Sequence, residues 1–111
     1  MNAQYDGLVV QPEEANGATG RYHQDGSLVW AEFGGGPVRT GRLVGMCGPN
    51  GVITAAYCQV MADGQVISGT CTSTPDTLPD GRLRLTEQWR RDDGSVGMSR
   101  IEQVPLEQVA R

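Results

Sequence analysis

Lysine is absent from this sequence, histidine and phenylalanine each occur once, and no long apolar run is present. A membrane-spanning helix needs about 20 consecutive apolar residues, so none is expected and no membrane partner follows. The segment Met1–Gly7 has neither a basic stretch nor an apolar one. A secretory signal peptide is therefore not expected, and the cytoplasm is the expected location. All 9 basic residues are arginines, outnumbered by 13 acidic residues, for a net charge of −4. Nucleic-acid binding draws on a basic footprint that displaces counterions from phosphate. An acidic chain is poorly suited to that, so Arg82, Arg84, Arg90 and Arg91 read as a solvated strand face and no nucleic-acid partner is expected. The three cysteines, Cys47, Cys58 and Cys71, are widely spaced, and an odd count makes a poor disulfide framework. Free, mostly buried thiols in a reducing compartment are the simplest account. His23 has no cysteine near it in sequence, so no metal site is expected. Nor is there a nucleotide-binding loop, and no cofactor is expected.

Turn residues, in contrast, are abundant. The 111 residues include 16 glycines, and the length suits a single domain over 1–111. Asp25-Gly26, Gly34-Gly35-Gly36, Pro49-Asn50-Gly51, Asp63-Gly64, Pro79-Asp80-Gly81 and Asp93-Gly94 punctuate the chain. Asn-Gly and Asp-Gly between apolar runs are hairpin signals, because such turns need the positive φ that these residues tolerate. Between them lie eight strand-like runs: Tyr5–Val10, Gly20–Gln24, Ser27–Phe33, Val38–Cys47, Val52–Met61, Gln65–Ser73, Arg82–Arg91 and Ser95–Val104. No segment carries a 3.6-residue apolar stripe of helical length. The chain thus divides into a strand and polar loop over 1–19, a hairpin meander over 20–104, and a tail over 105–111 with one loose helical turn. The expected fold is all-β: a single small antiparallel up-and-down (calycin-like) β-barrel of about eight strands. Closing the sheet would remove its exposed edges. A two-sheet sandwich is the alternative.

Alternation shows which face is inside. Leu83, Leu85, Glu87 and Trp89 share one side of their strand, and Arg82, Arg84, Thr86, Gln88 and Arg90 the other. The first side is apolar apart from Glu87, which makes that carboxyl the most informative residue in the chain. A three-residue loop at Asp92-Asp93-Gly94 sets Trp89 opposite Gly97, Glu87 opposite Ser99 and Leu85 opposite Ile101, with an ion pair expected between Arg84 and Glu102. A two-residue turn would bury Arg100 and Glu102 instead, at greater cost. The same loop type at Ala62-Asp63-Gly64 sets Tyr57 opposite Gly69 and Gln59 opposite Ile67, with Cys71 and Ser73 continuing that face. Gly41, Leu43, Gly45 and Cys47 share another inward face. The interior is polar for a small barrel: Tyr57, Gln59, Ser73, Glu87 and Ser99, joined by Tyr22 and Gln24. Gly41, Gly45, Gly69 and Gly97 lie in mid-strand, where glycine marks a bend or the close approach of another group.

These motifs resemble those of a family of small bacterial proteins of similar length. The resemblance runs through Tyr22-His23-Gln24-Asp25-Gly26, Ala31-Glu32-Phe33-Gly34-Gly35, Gly41-Arg42-Leu43-Val44-Gly45 and Tyr57-Cys58-Gln59. Its most specific part spans Gly69–Trp89, with Cys71, Ser73, Pro75, Leu78, Gly81, Leu85, Glu87 and Trp89, followed by Gly97-Met98-Ser99. The family usually has Tyr where this chain has Phe33, so any role for a hydroxyl there is lost. Members are often labelled N-acetylglutamate synthase. That activity calls for an α/β domain with an acetyl-CoA loop before a helix, which this chain lacks. The resemblance implies a small β-barrel and leaves the activity open.

An eight-stranded barrel is either filled by side chains or holds one small ligand. If this one is hollow, two readings follow. Glu87 would be desolvated and its pKa raised, fitting it for general acid/base work with Tyr57 and Ser99 orienting a carbonyl or hydroxyl. The chemistry would then be cofactor-free: a cyclase, isomerase or dehydratase of specialised metabolism. Alternatively the barrel binds a small molecule without reaction, using Tyr22, Gln24, Gln59, Cys71, Ser73 and Trp89. Cys71 as a nucleophile would need an activating histidine. Against all of these, Glu87 could simply close a network with Ser99 and Tyr57 that pins a solid barrel. The function would then lie outside, in an interaction module using Leu28, Trp30, Val96 and Met98, with a homodimer through the wall as its sign. Pro75–Gly81 is expected to be a rigid loop at one barrel mouth.

Overall fold

The structure, a computed structural model, describes residues 4–105. Eight strands follow in order: β1 Val9–Pro12, β2 Thr19–Asp25, β3 Leu28–Gly35, β4 Val38–Cys47, β5 Ile53–Met61, β6 Val66–Thr77, β7 Leu83–Arg91 and β8 Val96–Gln103. Each pairs antiparallel with the next. The ladder closes where Val10, Gln11 and Pro12 meet Gln103, Glu102 and Ile101. That closure makes the fold the expected barrel rather than a sandwich.

The turns set the registers by one repeated device. At Gly64, Gly81 and Gly94 the N–H donates to the carbonyl three residues back, at 2.9 Å in each case. The preceding Asp63, Asp80 or Asp93 accepts the N–H of the residue two ahead of it, at 3.0, 3.1 and 2.9 Å. Each glycine sits near φ +90°, a conformation that L side chains rarely adopt. This three-residue loop fixes Glu87 opposite Ser99, Trp89 opposite Gly97, Leu85 opposite Ile101 and Tyr57 opposite Gly69, as the sequence predicts.

Several boundaries and contacts differ from expectation. Residues Tyr5–Leu8 are not strand; the chain turns there, Leu8 N–H bonding Tyr5 C=O at 3.1 Å, and β1 begins at Val9. Gln11 and Pro12 belong to β1 rather than to the polar loop. β6 runs on through Pro75 to Thr77, so the expected Pro75–Gly81 loop is shorter. The ladder with β5 has ended at Ser73, and Pro75 has a partner only in β7, the free-edge placement proline tolerates. Arg84 lies opposite Glu102 in register, but its guanidinium turns to Asp76, with Nε at 3.0 Å and a terminal nitrogen at 2.7 Å. Glu102 faces Arg82 instead, at 3.8 Å. Cys47 and Cys71 are buried, whereas Cys58 is exposed. The helical turn expected of the tail lies, beyond Pro105, outside the described residues.

One end of the barrel is shut. Tyr5 is fully buried there; its hydroxyl donates to the Gly51 carbonyl and its N–H to Gln24 Oε1 at 3.1 Å. Val29, Ile53, Leu85 and Ser73 are buried with it. Leu28, Val44, Met46, Val66, Val96 and Met98 are exposed. Among the described residues no helix is long and apolar enough to cross a membrane, and no group of His, Cys, Asp and Glu could hold a metal ion.

Candidate functional site

Above the shut end the barrel is hollow. A cavity of about 350 Å³ lies among Tyr22, Ala31, Phe33, Leu43, Tyr57, Glu87, Trp89 and Ile101. Its rim carries Asn16 and Ala18 of the β1–β2 loop together with Val38, Gln59, Arg91 and Arg100. The volume falls within the range of small-molecule sites.

The hollow has a local cause. A Cβ on Gly97 would stand 2.2 Å from the Trp89 ring, and one on Gly41 would stand 2.2 Å from the Phe33 ring. Each aromatic lies flat over the glycine opposite it, so the wall is apolar but thin. Gly41 and Gly97 thus mark close approaches by aromatics, whereas a Cβ on Gly45 or Gly69 would meet the backbone carbonyl oxygen of Thr54 or Arg90. Gly97→Ala is expected to push Trp89 off its seat at a cost of about 1–3 kcal/mol. The Trp89 indole N–H signal in NMR should shift; if neither it nor the unfolding midpoint moves, the glycine does not seat the ring. That N–H donates to Ser99 Oγ at 3.0 Å, and the Arg91 guanidinium stacks 5.0 Å from the ring centroid.

Glu87 enters the cavity from β7. Burial pushes its pKa up to about 7, partly opposed by the Ser73 hydroxyl, which donates to Glu87 Oε2 at 3.3 Å. Tyr22, only 3% exposed, reaches in from β2. Burial first, then the neighbouring acidic groups of Glu87 and Cys71, hold its phenol well above the usual range. No side-chain nitrogen or oxygen sealed inside the described protein lacks a hydrogen bond. Among the described residues the Tyr22 hydroxyl has no hydrogen-bond partner, so it is one that opens onto the cavity. Tyr57, on β5, is raised by burial and held down by a hydrogen bond to Arg91. The Cys71 thiol is pushed up to about 11, chiefly by burial and then by Glu87, which leaves it a poor nucleophile.

Of the residues singled out in the sequence, Tyr22, Tyr57, Gln59, Cys71, Glu87, Trp89 and Ser99 come together around the cavity. Ser73 sits fully buried behind Glu87, outside the lining. Gln24 is also outside it: its amide bonds Tyr5 N–H and the Gly26 carbonyl at the shut end. Glu87 bonds Ser73 instead, and among the described residues no hydrogen bond joins it to Ser99, which accepts from Trp89, or to Tyr57, so the expected Glu87 network with Ser99 and Tyr57 is not formed. Phe33 and Arg91 also line the cavity, so Arg91 does not belong to the solvated strand face on which the sequence reading placed it. Extending the Leu85-Glu87-Trp89 alternation by two positions reaches Arg91.

A model of a family described as "Avidin-like protein" matches residues 4–104. No curated protein and no solved structure matches the chain.

Proposed function

We propose that this chain, which belongs to the avidin-like family, binds one small organic molecule inside its barrel. The family's barrel is a small-molecule-binding fold, biotin being the ligand of avidin. The observation that carries the reading is the 350 Å³ cavity with an unpartnered Tyr22 hydroxyl and the Glu87 carboxyl opening into it. The apolar wall would hold carbon surface, while the few polar groups would orient the ligand. A screen of small metabolites by thermal unfolding tests this. A true ligand at 100 times its Kd should stabilise the fold by about 2.7 kcal/mol and shift the Trp89 indole signal. Ligands that raise the midpoint without touching cavity signals would count against the reading.

One observation favours a second reading, in which the bound molecule reacts. Glu87 titrates near neutrality within reach of the cavity, which suits a general acid/base in cofactor-free cyclisation, isomerisation or dehydration. Tyr57 and Ser99 would then position the substrate. Glu87→Gln should abolish turnover of a ligand that it still binds; unchanged turnover would leave binding alone.

A further inference from the structure

We infer that the barrel wall carries a free strand edge beside the cavity mouth, Val96–Ser99 of β8, and that this edge takes an extended peptide segment as an added strand. The inference stands apart from the small-molecule reading, since it needs no small ligand in the cavity.

Toward the mouth, β8 outruns β1. The two strands pair only at Ile101, Glu102 and Gln103, and one further bond on the mouth side runs from Glu13 N–H to Arg100 C=O at 2.9 Å. Beyond it the chain leaves β8, and Asn16 and Gly17 lie against Gly35 and Gly36 in the β3–β4 turn. Val96, Gly97, Met98 and Ser99 therefore have β7 on one side and, among the described residues, no strand on the other. Successive residues of a strand turn their N–H and C=O to opposite sides. Arg91 N–H bonds Ser95 C=O at 2.8 Å on the β7 side, and Arg100 C=O points the other way, to Glu13. The same alternation aims the N–H and C=O of Val96 and Met98 away from β7, where no described residue bonds them. Folded chains usually blunt such an edge with a charge, a proline or a bulge. Val96-Gly97-Met98-Ser99 has no charge and no proline, and it pairs with β7 in unbroken register. The Val96 and Met98 side chains are exposed, while Ser99 and Arg100 line the cavity. A strand added here continues the barrel wall, with alternate side chains covering Val96 and Met98 outside and turning to the hollow inside. That alternation selects the occupant. Edge-to-edge pairing with a second copy would bring only Gly97 and Ser99 to the inner face. A peptide with an apolar residue at that position would put carbon surface into the hollow.

The test uses the peptide acetyl-Thr-Val-Phe-Val-Thr-amide and its twin with both valines N-methylated. In register, the valines face Val96 and Met98 and the phenylalanine turns to the hollow. By NMR hydrogen exchange, the Val96 and Met98 amides of the free chain should exchange fast, and those of Gly97 and Ser99, turned to β7, slowly. The first peptide should slow Val96 and Met98 and shift the Trp89 indole signal. The twin lacks two donors and should bind roughly tenfold more weakly or worse. Met98→Pro removes the N–H at the free edge, where proline is tolerated, and should weaken the first peptide by several-fold. If that variant does not fold, the N-methylated twin decides. Binding that leaves Val96 and Met98 exchanging fast, equal binding of the twin, or no binding at all would overturn the inference and leave the small-molecule reading standing. Slow exchange of these two amides in the free chain would overturn it as well. If independent of protein concentration, that result means the chain covers its own edge; if it grows with concentration, a second copy does.

Discussion

Glu87→Gln is expected to stabilise the folded chain at pH 8, by about 3 kcal/mol, and to change little at pH 4. In the unfolded chain this carboxyl titrates near 4.5; in the barrel burial raises it to about 7. Below 4.5 both states hold the proton and pH has no leverage. Between 4.5 and 7 the unfolded chain releases it while the folded chain keeps it, so the folded state loses ground as pH rises. A shift of that size corresponds to about 3 kcal/mol once pH exceeds both values. Glutamine keeps the shape, accepts the Ser73 hydroxyl through its amide oxygen and carries no charge to desolvate. Urea unfolding at pH 4, 6 and 8 checks this. The natural chain should weaken from pH 5 to 8, and the variant should not. A variant less stable than the natural chain at pH 8 would mean instead that Glu87 is ionised and satisfied inside the barrel.

Tyr5→Ala is expected to cost about 3–5 kcal/mol, the range for truncating a buried aromatic. A domain this size is held by roughly 5–15 kcal/mol, so the variant should lose much of its margin. Two effects combine. The ring fills the shut end against Tyr22, and its hydroxyl satisfies the Gly51 carbonyl. Tyr5→Phe separates them, since it keeps the ring and drops the hydrogen bond, for about 1–3 kcal/mol. Thermal unfolding of the two variants should rank them in that order. An alanine variant as stable as the natural chain would show that the end segment does not close the barrel.

How much of the fold and the site is legible in the sequence follows from what each feature depends on. Asp-Gly loops are local chemistry: a side-chain oxygen bonding two residues ahead and a glycine at positive φ. They set hairpin register, and register with two-residue alternation sets the inward face. The pairs Glu87–Ser99, Trp89–Gly97 and Tyr57–Gly69 are readable for that reason. The Arg84 ion pair is less so. Register places two Cα atoms opposite each other, but a long guanidinium is free to turn to either neighbour, and here Asp76 on β6 takes it.

The sequence by itself determined eight antiparallel strands, the registers of the β5–β6 and β7–β8 hairpins and a carboxyl on an apolar face, because turns and alternation act over a few residues. Only the tertiary structure decided that the barrel closes through β1 and β8, that Tyr5 shuts one end, and that the other end is hollow. These depend on contacts between residues far apart in the chain, where no local rule links Tyr5 to Gly51 or Tyr22 to Glu87. The hollow itself depends on Phe33 and Trp89 lying down over Gly41 and Gly97, a packing choice that becomes visible only once the sheet has closed.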